Sequence, residues 1–442
     1  MDENLLSVGL DIGTTSTQMI LSSLRIENRA SAFSVPEMQI AERKILYKSP
    51  VHFTPLLCGE LVDGSAIRNI VTEEYQKAGI GRADVDTGAI IITGETSRKE
   101  NAAAVLQNLS DLAGDFVVAT AGPGLESVLA AKGAGAVDYS AESGKTVLHM
   151  DIGGGTSNLA LIENGRITAT GCVNVGGRLL KYDGHDRLRY ISPVLDGIFH
   201  AELGSAYDAD ACQDLAETLT SALEMAAGLR PKTALLDKLW TSGASTNWTP
   251  PQNAVISFSG GVADCIAEPH EATVFGDIGP VLGRAIAQSK LCSGPYRLGT
   301  ETIRATVIGA GCHATQLSGS TVYHQNITFP LKNLPVVHSI PALSQLDQPG
   351  VLALPGSPAA HYGQIVALAE EIAAQWPKQP IYVALEADMA KALGHALALR
   401  LPKNTPILCM DRVQLAENSY LDVAAPIATA LPVVIKTLIL NR

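Results

Sequence analysis

Two aspartates close apolar runs, and each is followed by a glycine turn and hydroxyls. The first stretch is Val8-Gly9-Leu10-Asp11-Ile12-Gly13-Thr14-Thr15-Ser16-Thr17. The second is Leu148-His149-Met150-Asp151-Ile152-Gly153-Gly154-Gly155-Thr156-Ser157. A further apolar run follows each at once, Met19-Ile20-Leu21 and Leu159-Ala160-Leu161-Ile162. This pattern predicts strand, tight turn, strand in both places. Glycine at 13 and at 153 to 155 lets the backbone turn closely and aim N–H groups at an anion. The hydroxyls of Thr14, Thr15 and Thr156 add donors. An aspartate at a strand end suits a hydrated divalent cation. One such stretch could be an ordinary turn. Two suggest similar halves facing each other, with a nucleotide phosphate tail between them and Asp11 and Asp151 approaching the same cation. Without that cation the two carboxylates would repel.

Other segments extend this site. Thr87-Gly88-Ala89-Ile90-Ile91-Ile92 reads as a strand, and Glu95 follows beyond its carboxyl end, where ligands collect in parallel sheets. Glu95 could orient the water that attacks a terminal phosphate, or it could be a helix-entry acid favoured by the dipole. Val255-Ile256-Ser257-Phe258-Ser259-Gly260-Gly261 gives a strand and a double glycine, which would let adenosine approach the main chain. Thr306-Val307-Ile308-Gly309-Ala310-Gly311 has the pattern of strand then glycine turn, so Gly309 to Gly311 rivals Gly260-Gly261 for the base. Ser143-Gly144-Lys145-Thr146 is not a Walker loop. Tyr139 stands where the first glycine is required, and a strand follows instead of a helix. Asp183, His185, Asp186 and His200 show no metal-ligand spacing and read as a polar loop. Cys312-His313, Trp240 and Trp248 read as packing residues.

The elements needed to position these groups fit an α/β chain. Its 442 residues are 46% hydrophobic and 17% charged, enough for several folding units with a large core. The net charge of −12 argues against a broad nucleic-acid footprint. Seven scattered cysteines without a Cys-x-x-Cys pair fit reduced thiols in a cytosolic setting. No secretory signal is expected at the start, and Pro432 and Lys436 break the last apolar run, so no membrane span is expected. Surface helix 63–78 would bury Ile67, Ile70 and Tyr75 and turn its charges to solvent. Helices are also expected at 97–112, 208–227, 361–375 and 388–400.

The order of the motifs resembles the actin, sugar-kinase and heat-shock-chaperone ATPase superfamily over residues 5–290. A closer resemblance, over most of the chain, is to the ethanolamine ammonia-lyase reactivating factors. It rests on the stretch from Gly9 to Ile20, on Ile92-Thr93-Gly94-Glu95-Thr96-Ser97-Arg98-Lys99-Glu100-Asn101, on Ala119-Thr120-Ala121-Gly122-Pro123-Gly124-Leu125-Glu126-Ser127, and on Arg304-Ala305-Thr306-Val307-Ile308-Gly309-Ala310-Gly311. The resemblance implies two ribonuclease-H-like halves of an actin-like ATPase fold, at 1–145 with an insertion and at 146–290, and an extra α/β region at 291–442. It implies an ATP- and Mg2+-dependent bacterial chaperone. Such a factor releases damaged cobalamin from ethanolamine ammonia-lyase so that intact adenosylcobalamin can enter, and cobalamin is handled through the partner. It also implies a cytoplasmic setting, with a microcompartment commonly associated, and leaves self-association open. Carried over, Asp11, Gly13, Thr14 and Thr15 form the first phosphate loop. Asp151, Gly153, Gly154, Gly155 and Thr156 form the second, and Gly260 and Gly261 the adenosine site. The first loop departs from a lysine-bearing pattern.

Two other functions use the same frame. A small-molecule kinase would need a base beside a substrate hydroxyl, and no segment clearly supplies one. An actin-like scaffold would polymerise with nucleotide.

Overall fold

The computed structural model describes residues 3–13, 16–28, 38–57, 61–81, 84–93, 109, 117–120, 123–241, 248–313, 315–319, 321–357, 359–376, 380–415, 419–427 and 429–437. Thr14, Thr15, Glu95 and most of the expected helix at 97–112 lie outside these residues.

Two sheets share one topology. In the first, β1 (Glu3–Ile12) pairs antiparallel with β2 (Ser16–Asn28), and β2 with β3 (Met38–Lys48). On its other side β1 runs parallel to β4 (Thr87–Ile92), and β4 to β5 (Val117–Thr120). In the second, β6 (Val147–Ile152), β7 (Ser157–Glu163) and β8 (Arg166–Val173) form the antiparallel meander. The parallel strands there are β9 (Val255–Ser259) and β10 (Tyr296–Leu298). The central strands β1 and β6 therefore end in the two aspartate turns. Val8, Leu10 and Ile12 enter one core, and Leu148, Met150 and Ile152 enter another. Side chains alternate along a strand, so each aspartate points to the face opposite these core residues.

Helix α1 (Gly64–Ala78) begins at Asp63, whose carboxylate accepts from the N–H groups of Ser65 and Ala66 at 3.0 Å each. It buries Ile67, Val71 and Tyr75. One charge on it is not solvated. Glu74 is fully buried and accepts from Tyr47 at 2.6 Å and Lys77 at 2.7 Å, with His52 at 3.1 Å. Those partners hold its carboxyl below the usual carboxylate range against the opposing effect of burial.

The segment expected to be a strand at 306–311 is a helix. Helices α2 (Pro123–Gly133), α3 (Ala136–Ser143), α4 (Ala209–Ala226), α5 (Gly261–Ala267) and α6 (Gly279–Ala287) precede it, and α7 covers Ala305–His313. Helix α7 is buried except at Thr306 and His313, so its mostly apolar sequence carries little period to mark it. Gly9 on β1 meets Gly311 at van der Waals range; a β-carbon on Gly9 would lie 2.7 Å from the Gly311 nitrogen. Gly133 of α2 meets Ala305 and Gly309 in the same way. Ser7 closes the contact by donating to the Gly311 carbonyl at 2.5 Å.

Beyond residue 290 the chain still serves both sheets. Strand β10 extends the second and α7 covers the first. A separate sheet then begins at Thr315–Leu317. Its order is Thr315–Leu317, Pro432–Thr437, Ser419–Val423, Leu331–Val337, Val351–Leu354, Ile381–Leu385, Ile407–Met410 and Tyr323–Gln325. Helices Tyr362–Gln375 and Ala390–Ala398 pack into one of its two cores. Trp248 is buried and donates to the Ala226 carbonyl at 2.7 Å, the packing role expected of it. No helix among the described residues is long and apolar enough to cross a membrane, and the described cysteines are free thiols.

Candidate functional site: a carboxylate cleft between two hairpin turns

The two aspartate turns open into one cleft of about 510 Å³, lined by Asp11, Gly13, Asp151, Gly153, Gly154, Gly155, Thr156, Gly260 and Gly261. That volume lies in the range of small-molecule sites, roughly 300–1,000 Å³. The turns are built alike. Gly13 N–H donates to the Ser16 carbonyl at 2.8 Å, and Gly153 N–H to the Thr156 carbonyl at 3.0 Å. Thr54 fixes the first turn by donating to the Gly13 carbonyl at 2.8 Å. Gly177 and Arg178 fix the second, donating to the carbonyls of Gly153 and Gly154 at 3.0 and 2.6 Å. With those carbonyls engaged, the N–H groups of Gly154 and Gly155 find no acceptor among the described residues. They are available to an anion.

Both aspartates are held by hydroxyls. Thr93 donates to Asp11 Oδ1 at 2.8 Å. Ser259 donates to Asp151 Oδ1 at 2.5 Å, and Thr306 lies 3.5 Å from Oδ2. Behind Ser259 stands buried His149, with Nε2 2.9 Å from Ser259 Oγ and Nδ1 3.1 Å from Ser257 Oγ. Burial pushes its pKa down to about 3, so the ring is neutral. Because Ser259 spends its proton on Asp151, the His149 proton sits on Nε2 and Ser257 donates to Nδ1.

Burial pushes the Asp11 pKa up to about 7; the Thr93 hydroxyl opposes the shift, and the charges of Glu126 and Asp151 add to it. Burial also raises Asp151 to about 6 against its two hydroxyl donors. No cationic side chain among the described residues offsets either shift. Among the described residues, no three His, Cys, Asp or Glu side chains stand close enough to hold an ion together.

The expected set is partly assembled. Asp11, Gly13, Asp151, Gly153 to Thr156, Gly260 and Gly261 share the cleft. Gly260 takes φ +86°, and a β-carbon there would strike the Ile152 carbonyl. Gly309 and Gly311 do not line the cleft; they are packed between α2 and β1. A residue that sequence reasoning gave no role does line it. Glu126, in the first turn of α2, is buried and accepts from Asn158 at 2.7 Å. Its signal was an acid opening a helix just beyond a strand end, the same feature that singled out Glu95. Arg178 also lines the cleft, paired with Asp277 at 3.0 Å, while Asp277 accepts from Gly279 N–H at 2.8 Å.

Comparison with known proteins places this geometry. Residues 3–348 and 340–441 match the family described as ethanolamine utilisation protein EutA. The chain is 38% identical to the ethanolamine ammonia-lyase reactivase EutA of Salmonella typhimurium, over 98% of both chains. It is 38% identical, again over 98% of both, to the protein of that name from Escherichia coli. A Ppx/GppA enzyme of Aquifex aeolicus is 12% identical over 70% of this chain and 99% of its own, with a TM-score of 0.42, too remote to inform the site. By its near full-length match, the chain belongs to the EutA family of ethanolamine utilisation proteins.

Proposed function

We propose that this protein is an ATP-dependent reactivating factor for ethanolamine ammonia-lyase, releasing damaged cobalamin so that intact adenosylcobalamin can rebind. The observation that carries the reading is 38% identity to two reactivases over 98% of the chain, joined to a cleft that presents two buried aspartates and loop amides. The two sheets of like topology are taken as the ribonuclease-H-like halves of an actin-like ATPase, with the sheet from residue 315 onward as an added α/β region. The setting is the bacterial cytoplasm, with association to the ethanolamine utilisation microcompartment.

The residues fit ATP with Mg2+. The N–H groups of Gly154 and Gly155 meet phosphate oxygens. Gly260 and Gly261 leave room for adenosine, and Arg178, packed beside Gly154 and paired with Asp277, lines the cleft at the second turn. Asp11 and Asp151 would hold Mg2+ through its waters, and the ion would supply charge compensation for the triphosphate. Glu126 orients the attacking water, as was expected of Glu95, and in addition accepts its proton. Support for Glu126 is its burial at the cleft and its charge interaction with Asp11. Binding draws the halves together, hydrolysis lets them part, and that motion strains the partner interface.

The test is ATP turnover by Asp151→Ala. The reading requires loss of at least a hundredfold in kcat together with loss of cofactor release; normal turnover by that variant would refute the assigned role.

A further inference from the structure

The two aspartates are not the whole floor of the cleft. Asp11 stands directly across the first hairpin from Gln18, and Asp151 directly across the second from Asn158. Opposed residues of an antiparallel pair share a face with β-carbons about 5 Å apart. Both amides line the cleft, and each is only 4% exposed. Their orientation is set from behind. Gln18 Nε2 donates to the Ile303 carbonyl at 3.3 Å, and Asn158 Nδ2 donates to Glu126 Oε2 at 2.7 Å. Only the NH2 end of an amide can donate, so the oxygens are fixed at the other end. Gln18 Oε1 and Asn158 Oδ1 are both buried, and neither finds a donor among the described residues.

A buried acceptor left unmet is costly, and among the described residues these two are unmet at matched places in both hairpins. Phosphate oxygens are acceptors and cannot meet them. Both residues line the cleft beside the aspartates, so a small donor held there is the partner nearest to hand. Water bound to a cation meets that need, because coordination polarises its O–H bonds. We propose that Gln18 and Asn158 are positioning residues for the divalent cation, accepting hydrogen bonds from its water shell beside Asp11 and Asp151. This rests on the Mg2+–ATP reading above. Neutral amides suit the task, since further carboxylates would deepen the repulsion between the aspartates. An ion that retains its waters, as Mg2+ does, is served better than one that sheds them. The backs of the two amides hold Ile303, just before α7, and Glu126 on α2, and these two helices cross at Gly133 and Gly309. Loading the cation thus bears on the segments that join the halves.

The test is calorimetric titration of the full-length protein with ADP at graded Mg2+, with Mn2+ binding by electron paramagnetic resonance as a second readout. Urea unfolding of each ligand-free variant verifies its fold. In Gln18→Met and Asn158→Leu the Mg2+ needed for half-maximal nucleotide binding is expected to rise about tenfold, while metal-free ADP affinity stays the same. If wild-type binding needs Mg2+ and the variants match it, this inference fails and the nucleotide reading stands. If metal-free affinity falls in parallel, the residues only shape the cleft, and the inference fails. If wild-type binding is indifferent to Mg2+, both fall.

Discussion

Asp11 and Asp151 owe their high proton affinity first to burial, and Asp11 also to the charges of Glu126 and Asp151. The consequence for stability has a definite sign. A carboxyl with a folded pKa near 7, against 3.8 when unfolded, binds more protons in the folded state over that interval. The ligand-free protein therefore loses stability as pH rises from about 4 through about 7. Thermal melts across that window should show the decline, and Asp11→Asn should flatten it. Mg2+–nucleotide should reverse the trend, because it binds the ionised pair. Glu126 makes a separate prediction. Glu126→Gln keeps an acceptor at Asn158 but removes the base, so kcat should fall roughly 10²–10⁴-fold with ADP affinity retained. Unchanged single-turnover hydrolysis in that variant would remove Glu126 from the mechanism. The aspartates were legible in the sequence because each ends an apolar run and opens a glycine turn. The partners Thr93, Gln18 and Asn158 were not, since their relevance comes from strand register.

At the scale of elements, the hairpins could be read directly and helix α7 could not. Strands β1, β2, β6 and β7 carry continuous apolar runs broken by glycine and hydroxyl residues, and that punctuation locates the turns. Helix α7 is mostly apolar with little period, so its own sequence reads as a strand. What identifies it is packing: Gly9 against Gly311, and Gly133 against Gly309. These contacts bring α2 and α7 together where the halves join. Gly309→Val would drive its side chain into the Leu129 backbone. It should cost about 1–3 kcal/mol or more in urea unfolding, since overpacking at backbone contact has little room to relax. A variant as stable as wild type would show that the crossing is looser than this packing requires. Glu74 teaches a related lesson. It lies on a helix read as solvent-facing, yet Tyr47, His52 and Lys77 surround it, so amphipathic pattern alone misplaced it.

For the whole molecule, the repeated sheet order is the feature that turns two local motifs into one machine. Each central strand delivers an aspartate to the same cleft, and the connecting helices α2 and α7 cross behind it. On the function proposed above, cleft closure would change the relation of the halves, a motion a partner enzyme can feel. Sequence similarity supplies the partner, and the cleft supplies the energy source. The most direct test joins them. Ethanolamine ammonia-lyase inactivated with tightly held, damaged cobalamin is incubated with the purified protein, fresh adenosylcobalamin, ATP and Mg2+, and deamination of ethanolamine is followed. The account predicts recovered activity that requires ATP and is absent with Asp151→Ala. Recovery no greater than in a control without the protein, or equal recovery without ATP, would contradict it.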